Sequence, residues 1–158
     1  QRAGQFAFRR ASYAEAIAHY SSGLRVLESL PNDRRRDQLE LALQVELGYS
    51  LIPLRGWGAL ETAQAFNRAG ELSQQIGDTP SQFRALWGVG AFHFVRGDQR
   101  KAREIAEQCL ALAKQSNDDD ALIEAHYLLG QLYERDRRWQ DAAAEYKLAH
   151  EPLKGTGN

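Results

Sequence analysis

The sequence predicts an all-α chain in which antiparallel helix pairs stack on one another. Apolar residues recur one helical turn apart along most of the 158 residues, as expected for helices with one buried face. A small-residue pattern also repeats, with Gly4, Gly48, Gly90 and Gly130 separated by 44, 42 and 40 residues. Because a single helix pair cannot bury its own apolar face, the copies are expected to stack into a solenoid.

The last copy shows the pattern most clearly. On one predicted helix, a His, a Leu-Gly pair and a Tyr follow one another at intervals of about one helical turn. A turn at 136–138 follows, and a second predicted helix then carries Ala, Tyr and Ala at similar intervals. These residues are His126, Leu129, Gly130 and Tyr133, followed by Ala142, Tyr146 and Ala149. The spacing resembles that of the tetratricopeptide repeat family. It departs from the family pattern at His126, where a large aromatic is usual, and no proline closes the unit.

The resemblance implies a right-handed α-solenoid of about four antiparallel helix pairs over residues 1–150. The predicted copies span about 1–31, 33–77, 79–116 and 119–150, and residues 151–158 are predicted to be a linker or tail. The repeat period of 40–44 residues exceeds the usual period of about 34, so longer helices or turns are expected. In the first copy, a turn is expected at Ala11-Ser12, because Ser12 and Glu15 form a capping box.

Turn and cap signals predict the boundaries of the second copy. Asp33 is expected to cap its first helix, and Pro53 to bend or close that helix near its end. Trp57 follows in the loosest turn and is expected to pack back over an inserted bulge. Gly77 is expected to end the partner helix in a left-handed conformation. The two predicted helices cover 39–54 and 61–76.

The third copy begins with a helix that is apolar around most of its circumference. Its large apolar residues are Leu86, Trp87, Phe92, Phe94 and Val95. Such a helix is either sandwiched between neighbours or carries a binding surface. The predicted partner helix, 100–115, is followed by an acidic run at 117–120. That run lacks the alternating ligands and glycine of a calcium loop, so it is interpreted as a helix start.

Composition argues against several kinds of partner. The 43% hydrophobic and 26% charged content is typical of a folded domain, and a net charge of −1 provides no long-range field for nucleic acid or a membrane surface. No apolar run approaches the roughly 18 residues of a membrane span. The single cysteine favours a reducing compartment, so a cytoplasmic location is expected. Because the chain begins without Met and inside a predicted helix, we expect it to be a segment of a larger protein.

The sequence contains no residue constellation for catalysis. The Gly-x-Gly at 88–90 lacks the third glycine of a dinucleotide site, and neither a phosphate loop nor a His-Glu-x2-His motif is present. His93 and His126 fall on first helices of successive copies, but a metal site there would need a third ligand. Cys109 stands where the repeat has Ala and is interpreted as a core residue. We therefore predict a non-enzyme with no cofactor and no metal site.

The resemblance implies that the first helices line a concave groove that binds a protein or peptide. Transferred to this sequence, the groove positions are Phe8, Arg9, Tyr49, Ile52, Arg84, Trp87, Phe94, Tyr127, Gln131, Glu134 and Arg135, with Gln5 and Ala91 beside them. Aromatic and Arg side chains are common interface anchors, so the first hypothesis is a protein-interaction scaffold. The alternative is that Trp87 and Phe94 only pack against the neighbouring copy. Some family members bind acidic C-terminal peptides through Lys and Asn in the groove, and this chain has neither at those positions.

A narrower likeness supplies a second hypothesis. The run at 72–80, together with Leu-Trp-Gly at 86–88 and Phe-x-Arg-Gly at 94–97, is similar to long-repeat arrays in large bacterial signalling proteins. In those families the array follows an ATPase module, sometimes with a nucleotide cyclase elsewhere in the chain. The likeness implies a ligand-sensing regulatory arm, and the ATPase and cyclase motifs themselves are absent from this sequence.

The ends of the predicted array carry apolar residues that a neighbouring repeat would cover. Phe6 and Phe8 at the front, and Tyr146 and the surface around Ala149 at the back, are expected to be exposed. Exposed patches of this kind favour association, so self-association through the ends is predicted.

Overall fold

The computed structural model describes the backbone of residues 2–150 and the side chains of residues 9–150. Within this range the chain forms seven helices and no β-strand. The helices are α1 (Arg2–Leu27), α2 (Arg34–Arg55), α3 (Leu60–Ile76), α4 (Thr79–Arg96), α5 (Gln99–Ser116), α6 (Asp119–Arg135) and α7 (Trp139–His150). Each helix packs against the next, and α2–α4 and α4–α6 are also in contact. The predicted all-α solenoid of stacked helix pairs is therefore confirmed.

Short turns with a shared design join α3 to α4, α4 to α5 and α5 to α6. In each, a residue in the left-handed conformation ends one helix and an Asp caps the next. The three pairs are Gly77-Asp78, Gly97-Asp98 and Asn117-Asp118. Each Asp side chain accepts a hydrogen bond from the backbone N–H three residues further on, which satisfies a donor that the helix leaves unpaired. Asp33 caps α2 in the same way, as the sequence predicts.

The first copy differs from the prediction. α1 continues without interruption through Ala11 and Ser12, so the turn expected there is wrong. Ala is the strongest helix former, and neither position has the Gly, Asn or Pro that breaks helices elsewhere in the chain. The capping box at Ser12 is therefore too weak to end the helix. α1 packs against α2 as a single helix, in the place of the second helix of a pair.

The second copy follows the prediction closely. Pro53 lies in the last turn of α2, which ends at Arg55, and the Gly56 N–H donates to the Ile52 carbonyl beyond it. Trp57 packs back over the pair as expected, with its ring stacked on Phe66 at a centroid distance of 6.3 Å and an interplanar angle of 14°.

Phe66 on α3 lies between two glycines. A Cβ added at Gly48 on α2 would lie 2.8 Å from the Phe66 ring, and one added at Gly88 on α4 would lie 2.4 Å from it. Phe66 is completely buried as a result. Glycine at these two positions allows α2 and α4 to approach the ring from both sides, closer than any larger residue permits.

At the C-terminal end, the exposed residues differ from those predicted. Ala149 is buried, so its expected exposure is wrong, and Tyr146 is half-buried against Gly130. The large apolar residues that α7 exposes are Trp139, at 61%, and Leu148, at 45%. The side chains of Phe6 and Phe8, predicted to form the front surface, lie outside the described residues.

Candidate partner-binding groove

The first helices of the three complete pairs line one cavity of about 350 Å³. Hereafter termed the groove pocket, it is lined by Tyr49, Trp57, Trp87, Ile123, Glu124, Tyr127, Leu128 and Gln131. Tyr49 belongs to α2, Trp87 to α4 and the last five to α6, whereas Trp57 lies in the turn between α2 and α3. The pocket therefore spans three successive repeats.

Aromatic rings form most of the pocket wall and hold one another in place. The Trp57 ring lies edge-on to Trp87, with centroids 5.1 Å apart, and nearly perpendicular to Tyr49 at 6.4 Å. The Phe66 ring stacks on Trp57 and contacts Tyr49 edge-on, with the centroids of Phe66 and Tyr49 5.1 Å apart. Edge-to-face contacts of this kind stabilise each ring in one orientation, so the wall is largely pre-formed.

Arg84 occupies the margin of the pocket and is already paired. Its guanidinium lies over the Tyr49 ring, 4.9 Å from the centroid, and its Nη2 is 3.2 Å from Glu46 Oε1. Burial raises the pKa of Tyr49, and the hydrogen bond from Arg84 only partly offsets this. Tyr49 is therefore a neutral phenol at physiological pH.

Glu124 is the one carboxylate among the residues that line the pocket. Within the described residues it has no hydrogen bond or ion pair. Partial burial raises the pKa of its carboxyl, and the negative charges of Asp120 and Asp118 raise it further, while Arg84 acts in the opposite direction. Glu124 is exposed to solvent, so the pocket carries an acidic group that has no ion-pair partner among the described residues.

Trp87 belongs both to the pocket and to the core. It packs against the two apolar clusters that α4, α5 and α6 form, so the alternative of a packing role holds for part of its ring. Its indole Nε1 is buried and, within the described residues, has no hydrogen-bond acceptor. A buried donor without a hydrogen-bond acceptor lowers stability by about 1–3 kcal/mol. The indole N–H of Trp87 is therefore left without a hydrogen bond among the described residues in the unbound chain.

The structure brings together four of the predicted groove residues and separates the others. Tyr49, Trp87, Tyr127 and Gln131 line the pocket, and Arg84 lies beside it. Those that do not line it are Arg9, Ile52, Phe94, Glu134 and Arg135, and the side chain of Phe8 lies outside the described residues.

Two of the separated residues are engaged with each other. Arg135 lies over the Phe94 ring at 4.2 Å and donates to the Phe94 carbonyl, while Phe94 packs against the core between α5 and α6. Glu134 accepts a hydrogen bond from the Tyr146 hydroxyl at 3.0 Å. These contacts lie within the chain, so the three side chains have structural partners.

Sequence reasoning missed four residues of the pocket: Trp57, Ile123, Glu124 and Leu128. Helical periodicity contains the signal for two of them, because Ile123 and Glu124 lie one turn before Tyr127. No comparable signal exists for Trp57, since its position depends on how the turn after α2 folds back over α3.

His93, His126 and Cys109 have partners or packing outside the groove pocket. His126 Nδ1 is 2.7 Å from Glu145, and His93 Nδ1 is 3.5 Å from Asp98, so the two imidazoles have separate partners. Burial, followed by the charge of Glu124, raises the pKa of Cys109 to about 12. In the described part of the chain, no three His, Cys, Asp or Glu side chains converge as metal ligands, and no helix is long and apolar enough to cross a membrane.

Comparison with known proteins supports the helical repeat. Residues 81–151 match the family model described as tetratricopeptide repeat, and none of the curated proteins compared with the chain matches it. The crystal structure of the TPR domain of FLU from Arabidopsis is similar, with a TM-score of 0.65 and 22% identity over 72% of this chain and 93% of that chain. At this identity the likeness concerns the fold alone. A tetratricopeptide repeat is therefore matched in sequence over residues 81–151, and the fold of the chain is similar to that of a TPR domain.

Proposed function

We propose that this chain is a protein-interaction module without catalysis of its own, and that it binds a peptide or protein segment along the face formed by α2, α4 and α6. The observation that carries the proposal is the groove pocket, in which first helices of three successive repeats contribute to one aromatic cavity. Tetratricopeptide repeats are interaction modules, and a surface assembled from several repeats fits an extended partner.

The state of the aromatic side chains supports a binding role. Trp57 and Trp87 are half-buried and fixed by edge-to-face contacts, whereas Tyr127 is 39% exposed at the rim. Large side chains that are already ordered lose little conformational entropy when a partner binds. Clusters of Trp and Tyr around a pocket are also the usual location of the strongest interface contacts.

Selection of a random peptide library on the intact chain tests the proposal. Peptides that bind are expected to lose affinity when Tyr127→Ala removes a rim ring, and when Gln131→Arg places a longer side chain in the pocket. Gln75→Arg introduces the same charge at an exposed position on α3 and is the matched control. Binding that survives both groove variants, or is lost equally in the control, would reject the groove as the binding site.

A small-molecule sensor is the second candidate, and one observation favours it. The pocket volume of about 350 Å³ lies at the lower end of the range of about 300–1,000 Å³ in which small ligands bind. In this proposal the chain is the regulatory arm of a bacterial ATPase or nucleotide cyclase. Stabilisation of the chain by a metabolite in a thermal-shift screen, abolished by Gln131→Arg, would support it; a screen without any stabilising compound would count against it.

We further propose a cytoplasmic location and no role in nucleic-acid binding. The near-zero net charge supports the second point, because a nucleic-acid interface needs a basic patch. A cytoplasmic location rests on the single cysteine, which cannot form a disulfide within the chain. Fractionation of cells that produce the full-length protein tests the location.

A further inference from the structure

We propose that the groove pocket binds a basic side chain of the partner, with a guanidinium favoured. This inference rests on the proposed function and specifies the chemistry of the residue that the pocket receives. It follows from one juxtaposition, in which four aromatic rings surround a cavity whose single carboxylate, Glu124, has no partner among the described residues.

The ring arrangement suits a cation. Trp57 lies at interplanar angles of 69° to Trp87 and 86° to Tyr49, so the rings form walls at steep angles to one another. The face of an aromatic ring carries partial negative charge and attracts an ammonium or guanidinium group within about 6 Å, most strongly when the ring is Trp. A planar guanidinium also stacks on such rings, which a compact ammonium does not.

The same contact recurs inside the chain. Arg103 lies over the Tyr133 ring at 4.7 Å, and the Arg84 guanidinium covers Tyr49 at 4.9 Å. Ring and guanidinium are therefore a stable pairing in the environment of this array. In the groove pocket the rings of Trp57 and Trp87 have no guanidinium over them within the described residues.

The charge balance around the pocket favours a positive ligand. Arg84 is the cation that lowers the pKa of Glu124, and it is already paired with Glu46 at 3.2 Å. Glu124 remains, with Asp118 and Asp120 close enough to raise its pKa further. An incoming cation would offset this excess negative charge.

Ligands of other chemistry fit less well. An acidic side chain would be repelled by Glu124, and no Lys or Arg lines the pocket to attract it. A purely apolar side chain would desolvate the carboxylate further without giving it a partner, which carries a large free-energy cost. Arg135, predicted as a groove cation, is engaged with Phe94 and is not available to bind an acid.

The test uses two small probes of nearly equal shape, N-acetylargininamide and the uncharged N-acetylcitrullinamide. Emission of Trp57 and Trp87 reports binding in a Trp139→Phe background, which removes the third tryptophan, exposed and outside the pocket. The arginine probe is expected to bind at least about 10-fold more tightly than the citrulline probe, a difference of about 1.4 kcal/mol.

Glu124→Gln is expected to abolish this preference, and Glu107→Gln, which removes an exposed carboxylate on α5, is expected to leave it intact. Equal binding of the two probes, or a preference that persists in Glu124→Gln, would overturn the inference. The comparison of the probes on the unaltered pocket stands whether or not a variant folds.

Library-selected peptides separate this inference from the proposed function. Replacement of their arginines by citrulline, and of their lysines by norleucine, is expected to weaken binding at least about 10-fold. Peptides that are sensitive to Gln131→Arg yet indifferent to these replacements would overturn the inference and leave the groove function standing. Peptides indifferent to Gln131→Arg would overturn both.

Discussion

The middle of the array and its C-terminal end use the same contact, an aromatic ring against a glycine, with different degrees of enclosure. In the middle, Phe66 lies between Gly48 and Gly88 and is completely buried. At the end, Tyr146 lies against Gly130 and is only half-buried. Within the described residues, α3 has a helix on each side, whereas α7 contacts α6 alone. The second helix of a pair is thus fully enclosed only when the first helix of the following repeat covers it.

The side-chain chemistry at the two positions fits this difference. Phe66 has no polar atom and needs no hydrogen-bond partner in a closed site. The Tyr146 hydroxyl reaches the open side and donates to Glu134 at 3.0 Å. Burial, the hydrogen bond and the charge of Glu134 together raise the pKa of Tyr146 to about 12.

Replacing Phe66 or Tyr146 by Ala should give the largest change in the free energy of unfolding. Phe66→Ala leaves a cavity between α2, α3 and α4 and is expected to lower the free energy of unfolding by about 3–5 kcal/mol. Tyr146→Ala removes a half-buried ring and is expected to cost about 1–2 kcal/mol. Urea unfolding followed by circular dichroism measures both. Equal losses would mean that enclosure by the next repeat does not decide the contribution of the ring.

Replacing the facing glycines by Ala should give the next largest change in the free energy of unfolding. A Cβ at Gly88 or at Gly130 would lie 2.4 Å from the facing ring in each case. Phe66 has no room to move, so Gly88→Ala is expected to destabilise by about 1–3 kcal/mol. Tyr146 can shift toward solvent, and Ala favours the helix by about 1 kcal/mol over Gly, so Gly130→Ala is expected to be nearly neutral. Matched urea midpoints for the two variants would contradict this distinction.

A second copy of the chain is predicted to cover the open end at high concentration. Trp139 and Leu148 are the exposed large apolar residues of α7, and exposed apolar side chains favour association. Sedimentation of the wild type is expected to show association as concentration rises, and Trp139→Glu with Leu148→Glu should abolish it. Val26→Glu with Leu60→Glu replaces exposed apolar residues on α1 and at the start of α3 and is the control. A wild type that stays monomeric at every concentration would show that α7 does not mediate self-association.

The smallest expected effect is a dependence of stability on alkaline pH. A tyrosine in the unfolded chain loses its proton near pH 10, whereas Tyr146 in the folded chain keeps it to about 12. The folded state therefore holds more protons between these values, and the contribution of Tyr146 to stability falls across that window. Tyr146→Phe should show a shallower loss of stability from pH 10 to 12 than the wild type. Parallel curves would show that the pKa of Tyr146 is not raised.

The sequence predicts the repeat well because local and tertiary signals agree there. Gly48 and Gly130, which face Phe66 and Tyr146, belong to the repeated glycine pattern, and Asp33 lies directly before the helix that it caps. Prediction fails where a local signal competes with a stronger one. At Ser12 the capping box predicts a helix start, but the helix propensity of the surrounding residues is stronger and α1 continues through Ala11.

The groove is only partly predictable for a related reason. Tyr127 and Gln131 follow from helical periodicity, and Glu124 follows from the same period once α6 is known to face the cavity. Trp57 depends on the path of a turn, and Arg135 is taken out of the groove by its contact with Phe94. Such competition between partners depends on tertiary geometry, which residue spacing does not specify.

Backbone amide chemical shifts of the chain, measured with and without a library-selected peptide, test the central claim most directly. The perturbed amides are expected to cluster on the groove face of α2, α4 and α6, around Tyr49, Trp87 and Tyr127, and Gln131→Arg is expected to abolish the perturbation. Perturbations confined to α3 and α5, with the α6 amides unchanged, would contradict it.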